Sequence, residues 1–390
     1  MTAAASELLI AGGGIGGLAA ALALARAGRR VRVLEQAAEF TELGAGIQLA
    51  PNALRVLDRL GLAGEVMRHA VYPDDAVMID AVTGAEITRI VLGPAFVARY
   101  GWRYLVVHRL DLHRALLDAC RAEGAIALET SKTVIALEQT DDAVEAACED
   151  GARYRGAALV GADGLWSFTR AQILADGPPR ATGQVCYRGT VPIGAIPDLS
   201  RAKSMALWVG PGMHLVQYPV SRGELMNNVA VFESAQFARG AGEYGGPDEL
   251  EAAFAVAGPA VRSMLAHVGR DRRWVLHDRD PVSDWTRGRI TLLGDAAHPA
   301  LQNMAQGACM ALEDGVVLAD AVARCGEDYA RAFTEYQSAR FARTARVQLS
   351  ARFMASLVHA RGGVRELRNA LLRTRSPEST FELDWLYRGM

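Results

Sequence analysis

A strand, a glycine-rich turn, a helix and a second strand at the N-terminus constrain the fold of this chain most strongly. Residues 8–11 form an apolar run, residues 12–17 are almost all glycine, and residues 18–27 are rich in helix-forming side chains. A second apolar run follows at residues 31–34. Strand, helix and strand within about thirty residues are typical of a β-α-β unit, the building block of a parallel sheet.

The spacing of the glycines predicts a dinucleotide phosphate site. In Gly12-x-Gly14-x-x-Gly17 the first glycine permits a tight turn, the second lets a pyrophosphate approach the backbone, and the third allows close helix packing. Amides and dipole at the helix start favour phosphate, and Glu35 would accept hydrogen bonds from ribose hydroxyls. A merely structural turn is the alternative. The same spacing recurs at 240–245 without a preceding apolar strand, so we predict a surface loop there.

Two later apolar runs also end at a glycine and an acid. Residues 157–160 precede Asp163, and residues 290–293 precede Asp295. Ligands of open parallel sheets bind beyond the carboxyl ends of the strands, so these turns would converge with the first one on a single ligand. The alternative is that both aspartates cap the helices that follow them.

The rest of the chain predicts a second sheet and a helical C-terminus. Strand-like pieces broken by Pro and Gly occupy residues 71–99 and 178–285, and helical sequence begins near Leu312. We predict an α/β fold in two parts. A Rossmann-like ligand domain is formed by 1–70, 100–177 and 286–390, and a mainly antiparallel substrate domain by 71–99 and 178–285.

Composition limits the partners and the compartment. The 390 residues are 51% apolar, enough for two domains, and the net charge of −2 provides no basic field for nucleic acid. The five cysteines form no CxxC pair, which favours a reducing cytoplasm. The N-terminus has no basic stretch before its apolar residues, and no run of about 18 apolar residues occurs in the sequence. We therefore predict neither export nor membrane spanning. No histidine or cysteine spacing predicts a metal site.

Four motifs in order resemble the signature of single-component aromatic-ring flavoprotein monooxygenases. They are Gly12 to Gly17 with Glu35, the segment 107–112, the segment 161–164 with Ser167 and Arg170, and the segment 294–299. The resemblance covers nearly the whole chain and implies a p-hydroxybenzoate hydroxylase-like fold that binds FAD. It further implies that Asp295 binds the ribitol of FAD, that Arg109 contacts the cofactor, and that Asp163 lies in a motif linked to FAD and nicotinamide binding.

The following segment resembles the flavin-ring contact of that family. Gly307 and Ala308 would open a helix whose dipole favours the anionic reduced flavin. Within the family, Leu301-Gln302, residues 305–310 and residues 384–387 are most similar to 3-hydroxybenzoate 6-hydroxylases. Salicylate hydroxylases and 6-hydroxynicotinate 3-monooxygenases are close relatives. The resemblance implies NAD(P)H- and O2-dependent hydroxylation of a small hydroxylated aromatic acid. The preferred candidate reaction is 3-hydroxybenzoate to 2,5-dihydroxybenzoate (gentisate), and NADH is favoured over NADPH as reductant.

Such a hydroxylase needs a base, because a phenolate is the better nucleophile and a phenol has a pKa of about 10. Strand periodicity places His214 and Tyr218 on one face. We predict His214 as the base and Tyr218 as a hydrogen-bond relay or substrate anchor, which the resemblance supports. Gln302 would bind the substrate's carboxylate or hydroxyl. A structural role is the alternative for His214, and we expect a structural role for His298.

Two rival functions stay open. A flavin oxidase or reductase would keep the fold without hydroxylating, and a non-catalytic nucleotide-binding protein would keep it without any reaction. No second β-α-β nucleotide unit is visible, so the nicotinamide would bind transiently at the FAD domain. The C-terminal helices are candidates for a homodimer contact.

Overall fold

The computed structural model describes residues 7–41, 46–196 and 202–389. Residues 1–6, part of the segment on which the export prediction rests, lie outside this range. The described strands are β1 Glu7–Ala11, β2 Arg30–Leu34, β3 Gly46–Leu49, β4 Asp75–Asp80, β5 Glu86–Val91, β6 Leu105–His108, β7 Ile126–Glu129, β8 Val134–Gln139, β9 Val144–Cys148, β10 Arg153–Gly156, β11 Ala158–Gly161, β12 Arg180–Pro192, β13 Ser204–Gly210, β14 Met213–Val220, β15 Leu225–Glu233, β16 Trp274–Asp278, β17 Thr286–Arg287 and β18 Ile290–Leu292.

The described α-helices follow the same order along the chain. They are α1 Ile15–Arg26, α2 Pro51–Arg59, α3 Ala63–Arg68, α4 Pro94–Tyr100, α5 Arg109–Ala122, α6 Phe168–Leu174, α7 Ala235–Ala238, α8 Pro247–Phe254, α9 Pro259–Leu265, α10 Gly307–Cys325, α11 Tyr329–Val358, α12 Gly362–Arg373 and α13 Asp384–Tyr387. None of them is long and apolar enough to cross a membrane.

A six-stranded sheet forms the first layer. Its order is β17-β18-β11-β1-β2-β7, and all pairs are parallel except β17 with β18. The side chains of Leu8, Leu9 and Ile10 are fully buried, as expected of a parallel strand covered on both faces. The predicted Rossmann-like unit is therefore confirmed as β1, α1 and β2, with the helix starting at Ile15.

A buried ion network fixes the turn after β18 against the C-terminal helices. Asp314 on α10 accepts hydrogen bonds from the backbone N–H of Gly294 at 3.0 Å, from His298 at 2.6 Å and from Arg340 at 2.6 Å. Burial alone would raise the pKa of the Asp314 carboxyl, but His298 and Arg340 outweigh it and hold that pKa below its usual value. His298 thus has a structural contact, and α10 and α11 (Arg340) hold the turn in place.

A seven-stranded sheet forms the second part of the molecule, in the order β16-β12-β15-β14-β13-β4-β5. Its pairs are antiparallel except β13 with β4. The α/β class, the mainly antiparallel second sheet and the helical C-terminus are thereby confirmed. The exact domain boundaries stay a prediction. The second glycine pattern, 240–245, lies between α7 and α8 outside any helix or strand.

Candidate active site

The glycine loop has the geometry that its sequence predicts. Gly12 has a φ of +108°, and a Cβ there would lie 2.3 Å from the carbonyl oxygen of Ala162. A Cβ on Gly17 would lie 1.9 Å from the carbonyl oxygen of Gly12. Helix α1 begins after Gly14 without a side-chain cap or an acidic residue in its first turn. Its first amides therefore suit the pyrophosphate of a dinucleotide.

Two side chains hold this loop from outside. Both oxygens of Glu35 accept backbone N–H bonds, from Gly13 at 2.7 Å and Ala37 at 2.8 Å. Each oxygen has a further lone pair for a ribose hydroxyl, so the predicted ribose contact fits this position. His113 lies one turn beyond Arg109 on α5, and its Nε2 is 2.9 Å from the carbonyl oxygen of Gly13. Sequence reasoning missed His113, and its spacing of four from Arg109 was the available signal.

The three other predicted cofactor residues lie at element ends. Arg109 is the first residue of α5. Asp163 follows β11 and accepts hydrogen bonds from the Ser167 hydroxyl and, at 2.8 Å, from the backbone N–H of Thr169. Asp163 therefore does stabilise the start of α6, the alternative named above, and its cofactor contact stays a prediction. Asp295 is exposed in the turn after β18. Its Oδ1 lies 3.8 Å from the position that a Cβ on Gly307 would occupy.

The start of α10 resembles the start of α1 electrostatically. Its N-cap residue, Gln306, makes no capping hydrogen bond through its side chain, and the first turn has no acidic residue. Gly307 and Ala308 both line the cavity described below. The amides and the positive end of the α10 dipole therefore favour negative charge at that wall.

A cavity of about 400 Å³ lies between the second sheet and the start of α10. It brings together five predicted residues, His214, Tyr218, Gln302, Gly307 and Ala308. Its other polar lining side chains are Gln48, Thr88, Tyr104, Arg188, Asn227, Asn303 and Tyr387. Among the described lining residues there is one guanidinium and no carboxylate. The volume and this charge suit a small aromatic anion.

His214 lies on β14 and is 2% exposed. Its side chain and that of Val216, the next residue on the same face of the strand, both line the cavity. Its Nδ1 lies 2.7 Å from Nε2 of His359. Burial and the adjacent His359 ring hold the pKa of His214 well below its ordinary value. The imidazole is therefore neutral at neutral pH and able to accept a proton.

Tyr218 has its proton committed. Its hydroxyl donates to the carbonyl of Gly46 at 2.9 Å, and burial raises the pKa of this phenol to about 12. The oxygen keeps lone pairs that can accept from a substrate hydroxyl. In this arrangement Tyr218 joins β14 to β3 and suits the predicted role of an anchor.

Gln302 and Arg188 form a polar pair at the cavity wall. Arg188 donates through Nη2 to Oε1 of Gln302 at 2.7 Å, which leaves the buried Nε2 of Gln302 without a hydrogen-bond partner in the described part of the chain. A buried donor without a hydrogen bond destabilises the folded protein by about 1–3 kcal/mol, so a ligand oxygen is the natural partner of this N–H group. Sequence reasoning missed Arg188, although a charge inside the apolar run of β12 was a signal.

Comparison with known proteins decides the family. Residues 5–349 match the model of the FAD binding domain family. The chain belongs to this family. It is 44% identical over 381 residues, 97% of this chain and 95% of the relative, to a protein named 3-hydroxybenzoate 6-hydroxylase from Polaromonas naphthalenivorans. It is also 44% identical over 385 residues, 98% and 97% of the two chains, to 3-hydroxybenzoate 6-hydroxylase 1 from Aquipseudomonas alcaligenes.

A solved structure agrees with this assignment. A variant of HpxO from Klebsiella pneumoniae, complexed with FAD, is 29% identical, covers 95% of both chains and superimposes with a TM-score of 0.84. The protein is an FAD-dependent aromatic-ring monooxygenase, so the predicted family, enzyme class and flavin cofactor are confirmed. Within the described residues no group of three or more potential metal ligands comes together.

Proposed function

We propose that this enzyme converts 3-hydroxybenzoate to 2,5-dihydroxybenzoate, with NADH as reductant and O2 as oxidant. The observation that carries the proposal is that neutral His214, Arg188 and the start of α10 line the same cavity. A hydroxybenzoate needs a base for its hydroxyl and a cation for its carboxylate, and this cavity offers both. The names of the two relatives support the same choice of substrate.

In this proposal the two ends of the substrate bind to different walls. The carboxylate binds Arg188, whose five N–H donors are only partly used by Gln302 and by the sulfur of Cys186. The unpartnered Nε2 of Gln302 donates to the substrate as well. The substrate hydroxyl faces His214, with Tyr218 as a hydrogen-bond acceptor beside it.

His214 then removes the proton of the hydroxyl. The resulting phenolate has its greatest added electron density at the carbons ortho and para to its oxygen, and carbon 6 is the para position. One oxygen atom of O2 enters the ring there and the other leaves as water, while NADH and one proton are consumed. The remaining ring proton at carbon 6 is lost when aromaticity returns.

The residues that would hold FAD lie at the glycine loop, in the turn after β18 and at the start of α10, which lines the cavity. The α1 amides and Glu35 fit the pyrophosphate and ribose, Asp295 fits the ribitol, and Gly307 with Ala308 fits the ring. Arg109 and Asp163 are further contacts in this proposal. The chemistry that FAD supplies when bound is activation of O2 at the expense of the nicotinamide. This chain's residues supply position, a proton acceptor and exclusion of water.

The test is a substrate panel with product identification. Purified holoenzyme is assayed for NADH and NADPH oxidation with 3-hydroxybenzoate, salicylate and 6-hydroxynicotinate, under labelled O2. We expect 2,5-dihydroxybenzoate carrying one labelled oxygen, formed at a one-to-one ratio to NADH. Coupled product from salicylate or 6-hydroxynicotinate alone would transfer the proposal to that substrate. Peroxide without labelled product would indicate an oxidase.

We also propose that the enzyme is a homodimer that uses the C-terminal helices. Exposed apolar side chains occur at spacings of three and four on two consecutive helices, Leu349 and Phe353 on α11 and Val364, Leu367 and Leu371 on α12. Monomers rarely expose many such groups on adjoining elements. Light scattering should give twice the chain mass, and Phe353→Glu with Leu367→Glu should give the monomer. A monomeric wild type would contradict the proposal.

A further inference from the structure

A chain of hydrogen bonds leads from the cavity to the protein surface. His214 Nδ1 lies 2.7 Å from His359 Nε2, and His359 Nδ1 lies 3.2 Å from Oε1 of Glu233. His359 is as deeply buried as His214, with 2% of its surface exposed. The Glu233 side chain is 35% exposed and pairs with Arg361 at the surface. Two buried imidazoles thus connect the cavity wall to a carboxylate in contact with water.

The carboxylate determines the protonation of both rings. An ionised carboxylate only accepts, so Nδ1 of His359 carries a hydrogen and donates to Glu233. In neutral His359 the other nitrogen, Nε2, must then accept, so Nδ1 of His214 carries its hydrogen and donates. Neutral His214 is left with a bare Nε2, the nitrogen outside this chain of contacts. Because His214 lines the cavity, this tautomer has a proton acceptor available at the substrate.

We propose that His359 and Glu233 are a proton relay that carries the phenol proton from His214 to solvent. The substrate proton binds Nε2 of His214, the proton on its Nδ1 moves to Nε2 of His359, and the proton on Nδ1 of His359 moves to Glu233 and then to water. The first step breaks the phenol O–H bond, the next two each break an N–H bond, and the last breaks the Glu233 O–H bond. Every step forms one N–H or O–H bond, with no change of oxidation state. This inference rests on the proposed function, because it assigns the substrate hydroxyl to His214.

Burial explains why a relay is needed at this place. A cationic imidazole at a site away from water is costly, and the low pKa of His214 expresses this cost. His214 therefore cannot hold the proton through the following step, whereas transfer along the chain returns it to the neutral state. Burial raises the pKa of Glu233, but hydrogen bonds from His359 and Arg361 outweigh this and keep the carboxyl ionised at neutral pH.

The charged groups packed around the relay leave its direction unchanged. On α12, Arg368 donates to the carbonyls of Leu357 and Val358, and Arg365 forms an ion pair with Asp80 on β4. Arg361 is the cation in contact with Glu233. Arg361 favours an ionised Glu233, and the buried Arg368, bonded to the carbonyl of the residue before His359, disfavours a second positive charge on that ring.

The experiment uses His359→Gln and Glu233→Gln in the holoenzyme. A glutamine at 359 still offers an oxygen to Nδ1 of His214, and a glutamine at 233 still accepts from His359, but neither passes a proton on. We expect kcat for 3-hydroxybenzoate to fall on the order of 10- to 100-fold, with KM and flavin absorbance unchanged. The loss should shrink as the pH rises towards the phenol's ordinary pKa of about 10.

A more acidic substrate separates proton transfer from structural damage. A 3-hydroxybenzoate with fluorine at carbons 2, 4 and 5, which keeps hydrogen at carbon 6, has a phenol that ionises near neutral pH, so both variants should approach the kcat of the wild type with this substrate. His277→Gln is the matched control, because within the described residues the ring of this histidine on β16 hydrogen-bonds to the carbonyl of Val275 and does not line the cavity. It should leave kcat and its pH profile unaltered. Wild-type kcat at neutral pH in both variants would overturn the relay, as would equal losses with both substrates.

A readout without turnover distinguishes failure of the relay from failure of the proposed function. Proton NMR of the wild-type holoenzyme should show two far-downfield imidazole N–H signals, one for each donated hydrogen. The His359 signal should be lost in His359→Gln and shifted in Glu233→Gln. If no substrate of the panel is hydroxylated, the proposed function fails, and absence of these two signals overturns the relay independently.

Discussion

The glycine loop and the substrate cavity are built in opposite ways. The loop binds through backbone amides within one short segment. Its glycines are needed because a side chain at these positions would collide with the neighbouring backbone. The cavity depends on side chains from β3, β12, β14 and the turn before α10, supported by His359 after α11. Damage to the loop should therefore remove the cofactor and with it every activity, whereas damage to the cavity should remove one step and leave the flavin bound.

The largest effect is expected from Gly17→Ala. Its Cβ would lie 1.9 Å from the backbone oxygen of Gly12, so the loop must shift and the phosphate site is lost. We expect purified protein without flavin absorbance and without NADH oxidation. Gly242→Ala is the control from the second glycine pattern, where a Cβ meets nothing within 4 Å. Equal flavin content in the two variants would remove the contrast between loop and decoy.

The next effect concerns His214→Ala, which changes the cavity alone. Loss of the base should lower kcat for product formation by about 10²- to 10⁴-fold, while flavin absorbance stays at the wild-type level. NADH oxidation that continues with release of peroxide would place the defect after flavin reduction. The measurement is the ratio of 2,5-dihydroxybenzoate to NADH consumed. An unchanged ratio and rate would show that His214 is a structural residue.

How far the sequence predicted these two regions follows from their construction. The loop is local, so strand, glycines, helix and Glu35 could be recognised from spacing. Helix α1 begins three residues earlier and ends one residue earlier than predicted. The alternation of β14 likewise placed His214 and Tyr218 on the cavity side. Contacts between distant segments were missed, because no local pattern relates His214 to His359, 145 residues later, or Arg188 to Gln302, 114 residues later.

A smaller effect is expected from Arg188→Gln, which separates recognition from chemistry within the cavity. The variant loses the one guanidinium among the described lining residues but keeps a side chain that can hydrogen-bond. We expect the Kd of 3-hydroxybenzoate to rise about 30-fold, since a charge-assisted hydrogen bond to a carboxylate contributes about 2 kcal/mol. The neutral 3-hydroxybenzamide should bind both proteins alike. A matched loss for the amide would mean that Arg188 shapes the cavity without binding the carboxylate.

The smallest effect is a pH dependence of stability that belongs to the cavity and not to the loop. His214 has a pKa well below its ordinary value of about 6.5 in the folded chain and an ordinary one in the unfolded chain. Below pH 6.5 the unfolded state therefore binds a proton that the folded state does not. The stability present above that pH is lost as the pH falls, by up to about 1.4 kcal/mol per pH unit.

Urea unfolding of the wild type and of His214→Gln at several pH values between 8 and 5 tests this sign, with the pH window set by the ordinary histidine pKa of about 6.5. The wild type should lose stability relative to the variant only on the acid side. Parallel curves would mean that His214 takes up its proton while still folded, most simply because Glu233 stabilises a charged His359–His214 pair. In that case the cavity would store the phenol proton between the two rings, and the exposed carboxylate would serve to hold it there instead of releasing it.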